Sequence, residues 1–595
     1  MSGVAVLSSL WPLDLLASCT ITAGDDGCSC RATRRRSNSN DDKRCARWLS
    51  TAASETRRMT TAGDWELACS VLTSCAVCSK HAAAQSQHWH SDTTDLTQLC
   101  FHACDADSLT DRDAMRFLVC AVGLLSVCAL LCCSLVSAAY CHSHPSPTAQ
   151  PNLFPITQPS ATFVRSVPNG ALYELLVHDQ QISVVHLWGT PYQKGFAHGQ
   201  LMQDKMAGFL TDVYNYIINQ GAQQLNSSGV PMPEADQIVA IALALGLDAT
   251  EVLTAPFTGL WYAHELQGMS DATGIPYDTI ARIQMLGELT KGSCSMFGMW
   301  DQAIEGEHGL LTMRALDWIT DGPFQNFHQL TVYHADTNST FGTENTFLTM
   351  GWTGWIGSIT GVNDKQMSIH EIGVDFPDAT YGNESRQGVP FTYILRDILQ
   401  FDTTRMDGVS RLASAHRTCD LILGVGDGKD RRFNSIAYGA DTCVIMDDTN
   451  MKPVASWHPT INGTVYHAMD WECPGFNQVM SQQIESMWGS VTPALAIRNI
   501  MPIVQTGSLH TCQRAHTQQV CASAALLVVP GSLTLLVLLV SLCWLSDVAD
   551  LPNQQFYVSF SANDNSTAPQ RNAFDRQFAQ IDLAELFKVE QPEKF

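Results

Sequence analysis

Two strand-like runs, from Cys294 to Asp301 and from Leu310 to Trp318, flank the turn-forming cluster Glu305-Gly306-Glu307-His308-Gly309 and commit the centre of the chain to a β-hairpin. Folding the second run back on the first brings Asp317 close to Cys294. That cysteine stands apart from the others. Between His142 and Thr511 the only further cysteines are at 419, 443 and 473, and Cys294 alone lies between small residues, Ser293 and Ser295, at the start of a strand-like run. An accessible thiol in that place suits a nucleophile, and an ordinary core hairpin with one buried cysteine stays open as the plainer reading. Residues three apart on a regular strand face opposite ways. Arg314 and Asp317 therefore share a site only at a bulge or a strand end.

The functional reading is an N-terminal nucleophile. The Cys294 thiol attacks the carbonyl of Ser293, the resulting thioester is hydrolysed, and Cys294 becomes a new chain terminus. Its freed α-amine, with an ordinary pKa of about 7.7–8.0, is well placed to take the thiol proton near neutral pH. One residue thus supplies nucleophile and base together. Asp317 orients that amine, and Arg314 holds negative charge developing at the thiolate or at a substrate carbonyl. The scheme needs no metal and no organic cofactor.

Composition bounds the rest. The chain has 595 residues, a formal net charge of −24 and 21 cysteines. Fourteen of these precede residue 142 and three lie at 512, 521 and 543, so the region between cannot be a disulfide scaffold and must fold on an apolar core. The negative charge excludes phosphate-backbone binding, hence a nucleic-acid partner, and fits an acidic hydrolase tolerant of low pH.

Residues 1–114 show no sustained periodicity and predict disorder or a spurious extension. Cys75-Ala76-Val77-Cys78 with His81, His88 and His90 lacks the second ligand pair of a zinc site. Residues 115–139 have signal-peptide grammar: a cationic start at Met115-Arg116, an apolar core and the small-residue exit Ser137-Ala138-Ala139. A signal anchor over 117–140 is the alternative. Asn226, Asn338, Asn383, Asn462 and Asn565 head glycosylation sequons, and none precedes Met115. That one-sided placement predicts a secreted or lysosome-like lumenal protein.

After a Pro/Ser-rich linker, residues 140–293 read as an α-rich propeptide or small subunit. It holds a strand at Ile182–Trp188 and helices over 192–219, 233–245, 248–268 and 276–290. Residues 294–510 read as the first part of the catalytic domain, with strands near 331–333, 346–350, 366–370, 421–423 and 442–446 and helices over 393–400 and 406–415. Gly424-Val425-Gly426-Asp427-Gly428 reads as a turn. Residues 511–549 are a hydrophobic insertion whose core, 520–545, is long enough to span a bilayer, and 550–595 complete the domain. Trp352 to Trp355, with Phe297, Trp300, Trp318 and Phe324, could line an acyl pocket or simply fill the core.

Eight pieces carry a family resemblance, in order. They are Gly189-Thr190-Pro191 to His198-Gly199; Glu265-Leu266-Gln267-Gly268-Met269; Ser293-Cys294-Ser295-Met296-Phe297-Gly298; Arg314-Ala315-Leu316-Asp317-Trp318; Gly351 to Gly357; Glu371-Ile372-Gly373-Val374; Pro390-Phe391-Thr392 with Leu395 to Leu399; and Gln554 to Val558. The stretch from Trp188 to Phe595 resembles the cysteine amidohydrolases that include acid ceramidase, N-acylethanolamine acid amidase and penicillin acyltransferase. The resemblance is nearest to the secreted acid-ceramidase-like proteins of slime moulds. It implies an α+β fold, an αββα sandwich, with Cys294 as nucleophile, Arg314 and Asp317 as its flanking pair and Glu371 at an acidic position. It also implies self-cleavage between Ser293 and Cys294, small and large chains that stay associated, a lipid amide substrate of ceramide or N-acylethanolamine type, and transient contact with a membrane surface. An acyltransferase, a phospholipase-like esterase and a catalytically inactive binding homologue are the alternatives. Where relatives carry a Thr-Asn oxyanion donor, this chain reads Ser456-Trp457-His458-Pro459.

Overall fold

The structure, a computed structural model, describes residues 19–24, 27–32, 144–227, 230–290, 293–306, 309–318, 322–374, 380–468, 474–508, 510–517 and 553–593. It divides into two units, Met1–Leu135 with Ile217–Gly246, and Val136–Tyr216 with Leu247–Phe595. In the first, strands β1 (Cys19–Gly24) and β2 (Gly27–Ala32) pair as an antiparallel hairpin, where periodicity alone predicts no structure. The remainder of 1–114, with the Cys75–Cys78 motif, and the apolar run 117–140 lie outside the described residues. The same unit holds the end of helix α1 (Pro191–Ser227) and the start of α2 (Met232–Thr254). Ala222, Leu225, Val230 and Ala235 form a small apolar core there.

The second unit begins with the meander β3 (Thr162–Val167), β4 (Gly170–Val177) and β5 (Gln180–Leu187). Asn169 and His178, at φ 65° and 57°, make its two tight turns. Helices α3 (Leu260–Thr273), α4 (Tyr277–Gln284) and α5 (Leu286–Leu289) follow. Gly274, at φ 72°, ends α3 by returning its N–H to Ser270 O. The expected hairpin is β6 (Ser293–Trp300) and β7 (Gly309–Asp317).

Strands β8 (His328–Tyr333), β9 (Phe347–Trp352), β10 (Thr360–Asn363) and β11 (Met367–Gly373) lead into helices α6 (Phe391–Phe401) and α7 (Arg405–Ser414). Next come β12 (Leu421–Asp427), β13 (Arg432–Tyr438), β14 (Cys443–Met446) and β15 (Thr464–His467). Helices α8 (Pro474–Met487), α9 (Pro493–Asn499) and α10 (Met501–Val504) precede β16 (His510–Thr517), β17 (Asn553–Phe560), β18 (Ala579–Asp582) and α11 (Leu583–Phe587).

Two sheets result. One has ten strands in the order β14-β13-β12-β11-β10-β9-β8-β5-β4-β3, the other six in the order β15-β6-β7-β16-β17-β18. All pairings are antiparallel except β5 with β8. The sheets pack face to face, β6 and β7 against β11 to β13. A shared core runs from Val184, Leu330 and Leu348 on one sheet to Phe556, Val558 and Ile581 on the other. Helices α6 and α7 cover the outer face of the large sheet, and α8 and α9 pack on the small one. The architecture is therefore the αββα sandwich. Every residue of β7 and of β11 is buried, because a strand between a sheet and a helix layer has no wet face.

Several boundaries differ from expectation; the helices expected over 233–245 and 248–268 are α2, unbroken to Thr254, and α3, which starts only at Leu260. The segment 140–293 contributes the strands β3 to β5 as well as helices, and these join the large sheet. Gly424 to Asp427 belongs to β12 and is no turn: a Cβ at Gly424 would lie 2.4 Å from the Phe433 ring and 2.8 Å from Met296 Sδ, so glycine serves close packing there. Residues 511–517, read as the start of an insertion, pair with both β7 and β17; residues 518–549 lie outside the described residues.

Candidate active site

The hairpin register is unbroken, from Ser293 opposite Asp317 to Trp300 opposite Leu310. With no bulge, alternation decides which side chains meet. Cys294, Met296, Arg314 and Leu316 share the face turned to the large sheet, while Ser295 and Asp317 share the other. The strand end thus resolves the spacing problem differently from a shared site: Arg314 and Asp317 flank the Ser293–Cys294 peptide from opposite faces.

On the inner face, Arg314 Nη2 lies 3.2 Å from Cys294 Sγ and donates to Glu371 Oε2 at 2.9 Å, while Arg314 Nε donates to the Glu371 carbonyl at 3.2 Å. The expected acidic position is therefore part of the cluster. Cys294 and Arg314 are 1% and 0% exposed, so the uncleaved site is closed. Burial pushes the Cys294 thiol well above its ordinary pKa; the Arg314 charge pulls it down, and Glu371 and Asp317 push it up again.

On the outer face, Asp317 accepts three hydrogen bonds from the turn before β16. Its Oδ1 takes the N–H groups of Gly507 and Ser508, both at 2.9 Å, and its Oδ2 takes the Thr506 hydroxyl at 2.6 Å. Gly507 sits at φ 94°, a left-handed conformation that lets two consecutive N–H groups converge on one oxygen. Thr506 Oγ1 is also 2.6 Å from Ser295 Oγ. A hydroxyl has one proton, so Thr506 donates to the carboxylate and Ser295 donates to Thr506. Ser508 Oγ adds a bond to the Trp318 carbonyl at 3.1 Å. Burial raises the Asp317 pKa, offset by these donors. Sequence reasoning missed Thr506, Gly507 and Ser508 as carboxylate holders; the Thr-Gly-Ser turn chemistry was the available signal.

The expected aromatics divide. Trp318 stacks on Phe324 with centroids 5.0 Å apart, Phe324 meets Trp352 edge-on, and Trp352 stacks on Trp355 at 4.6 Å. Trp318, Phe324 and Trp355 line a small apolar cavity with Phe209, Ile283 and Leu286. Phe297 is on the outer face of the small sheet. Trp300 ends β6, about 20 Å along the strand from Cys294, beneath Arg432. Both ring nitrogens of His458 lie 3.0 Å from backbone carbonyls, those of Pro453 and Tyr466. His198 is a packing residue, fully buried against Gln329. The five sequon asparagines, Asn226, Asn338, Asn383, Asn462 and Asn565, are all exposed. No group of three or more His, Cys, Asp or Glu suited to a metal ion occurs among the described residues.

No family model matches the chain. It is 31% identical over 366 residues to protein dcd1B of Dictyostelium discoideum, covering 60% of this chain and 71% of that protein. It is 28% identical over 455 residues to protein dcd1A of the same organism, covering 73% and 92%. Among solved structures, it is similar to the Caenorhabditis elegans ortholog of N-acylethanolamine-hydrolyzing acid amidase (TM-score 0.28, 11% identity, 37% of this chain and 92% of that one). Penicillin V acylase from Agrobacterium tumefaciens (0.26, 13%, 38% and 84%) and a conjugated bile acid hydrolase from Clostridium perfringens (0.29, 11%, 51% and 97%) are similar at the same level. By its relation to dcd1B, of which it covers more than two thirds, this chain belongs to the family of the Dictyostelium dcd1 proteins.

Proposed function

We propose that the protein is an amidohydrolase that cleaves the amide bond of a lipid amide, ceramide-like or N-acylethanolamine-like, through a thioester at Cys294. The observation that carries this is the contact of Cys294 Sγ with Arg314 Nη2 at 3.2 Å, with Arg314 itself fixed by Glu371. In self-cleavage the sulfur attacks the Ser293 carbonyl, the Cys294 nitrogen leaves carrying the thiol proton, and water then hydrolyses the thioester to give a Ser293 carboxylate and a free Cys294 amine. Before this step the nitrogen is an amide without a basic lone pair. Afterwards the amine takes the thiol proton, Asp317 positions it from the other face, and Arg314 steadies the charge on the attacked oxygen.

Cleavage would divide the large sheet between its products, β3 to β5 on the small chain and the rest on the large one. The β5–β8 ladder, with the buried pairs Lys194–Glu344 at 2.9 Å and Arg396–Glu265 at 2.6 Å, would keep the two together. The exposed sequons support a secreted or lysosome-like location, which a mobility shift on glycosidase treatment tests.

Intact-mass measurement beside a lipid-amide hydrolysis assay tests the whole reading on wild type and Cys294→Ala. Wild type should yield a chain beginning at Cys294 and release fatty acid, and the alanine variant should do neither. Full activity in uncleaved protein would overturn it.

A further inference from the structure

Helix α5, the last described element before β6, is tied down by one buried carboxylate. Glu288, on α5, is 2% exposed and lies five residues before Ser293. Its Oε1 accepts the N–H of Phe391 at 2.7 Å, the first residue of α6, where a helix presents an orphan donor. Its Oε2 accepts the Cys419 thiol at 3.4 Å and lies 4.0 Å from Arg386 Nη1. Next to it, a Cβ at Gly287 would come to 3.2 Å from the Phe391 ring, so glycine lets α5 approach α6 closely. All these partners lie beyond Cys294 in sequence, so Glu288 fixes the arm upstream of the cut against elements downstream of it.

From this geometry we infer that Glu288 is a positioning residue for self-cleavage, an inference that rests on the reading of cleavage at Ser293–Cys294. Strand β6 places the thiol from one side, and the Glu288 anchor sets the approach of the Ser293 carbonyl from the other. Burying a charge costs more than packing an apolar side chain in the same place, and what it returns here is a fixed geometry at both oxygens. An intramolecular attack depends steeply on such placement.

The test follows newly made full-length protein by intact mass, for wild type, Glu288→Gln and Glu288→Ala. Melting temperatures are read in a Cys294→Ala background, where nothing is cleaved. Loss of the carboxylate should slow cleavage on the order of tenfold in the alanine variant. Glutamine keeps an acceptor for Phe391 but turns an amide toward Arg386, so it should slow cleavage less and melt within a few degrees of the parent. Amide hydrolysis per cleaved molecule should stay near the wild-type value. If wild type is never cut at this bond, the underlying reading fails. If wild type is cut and Glu288→Gln keeps pace, or if cleavage and turnover per cleaved molecule fall together, the positioning role is overturned.

Discussion

The Arg314 guanidinium is fully buried, and its partners are a sulfur and a carboxylate with its own backbone carbonyl. Glu371 therefore does two things: it balances a charge that water cannot reach, and it aims that charge at Cys294. Glu371→Ala should destabilise the uncleaved Cys294→Ala protein by about 3–5 kcal/mol, because a fully buried cation loses the carboxylate that balances it; a urea midpoint near that of the parent would contradict this. Asp317 is different, since its three donors come from a turn and stay in place when the charge is removed. Asp317→Asn should leave the melting temperature within a few degrees while lowering amide hydrolysis on the order of a hundredfold. Thr506→Val removes the hydroxyl donor to Asp317, and should cost about 1–3 kcal/mol together with slower cleavage, both readable on one sample by calorimetry and intact mass.

At the scale of elements, the β5–β8 pairing is the only parallel join among the described strands, and it lies where the two products of cleavage would meet. Glu265 and Arg396 bridge the same seam, with Tyr333 bonded to Glu265 at 3.0 Å and stacked under the guanidinium. Cleaved protein should therefore elute as one species under native conditions and separate only in denaturant. Two native peaks would show that the sheet does not hold. The hairpin at Cys294 was legible because strand runs and a glycine turn sit side by side in sequence. So were the helices that end on glycine or begin after proline. Strands β10, β13 and β15 were not, because strands buried on both sides lose the alternation that marks a half-exposed one; β3 lacks it because it is exposed over its first four residues, and Gly424 and Gly426 in β12 imitate a turn while making room for Phe433. Thr506-Gly507-Ser508 is legible locally as a turn, but its partner is not: the bond to Asp317 spans 189 residues, and no local pattern records that.

For the whole molecule, the acid tolerance suggested by the negative charge is opposed from inside the fold. His186, His198 and His334 are buried, and loss of water holds them down to about 4, about 4 and about 3. The Arg396 charge adds to this at His198; at His334, neighbouring His186 and Lys194 do. An unfolded chain protonates these rings near 6.5, so below that value it binds more protons than the folded one and acid favours unfolding. Their contribution is whole above pH 6.5 and is lost as pH falls toward 4 and, for His334, 3. Asp397, pushed up to about 6 by burial, acts the other way. The folded form keeps a proton that the unfolded form has lost above 3.8, so its contribution is present in acid and disappears as pH rises through 6. Asp575 and Glu251 behave alike. The histidine displacements are the larger, and the balance falls with acid. The melting temperature of the full Cys294→Ala chain should therefore be highest near neutrality and fall by at least ~5 °C between about pH 7 and about pH 4. Calorimetry across that range checks it, and His198→Gln should flatten the profile by removing one site that takes up a proton only on unfolding. A profile that is level, or that rises toward acid, would mean that the buried carboxyls outweigh the histidines and that the fold is built for an acidic lumen after all.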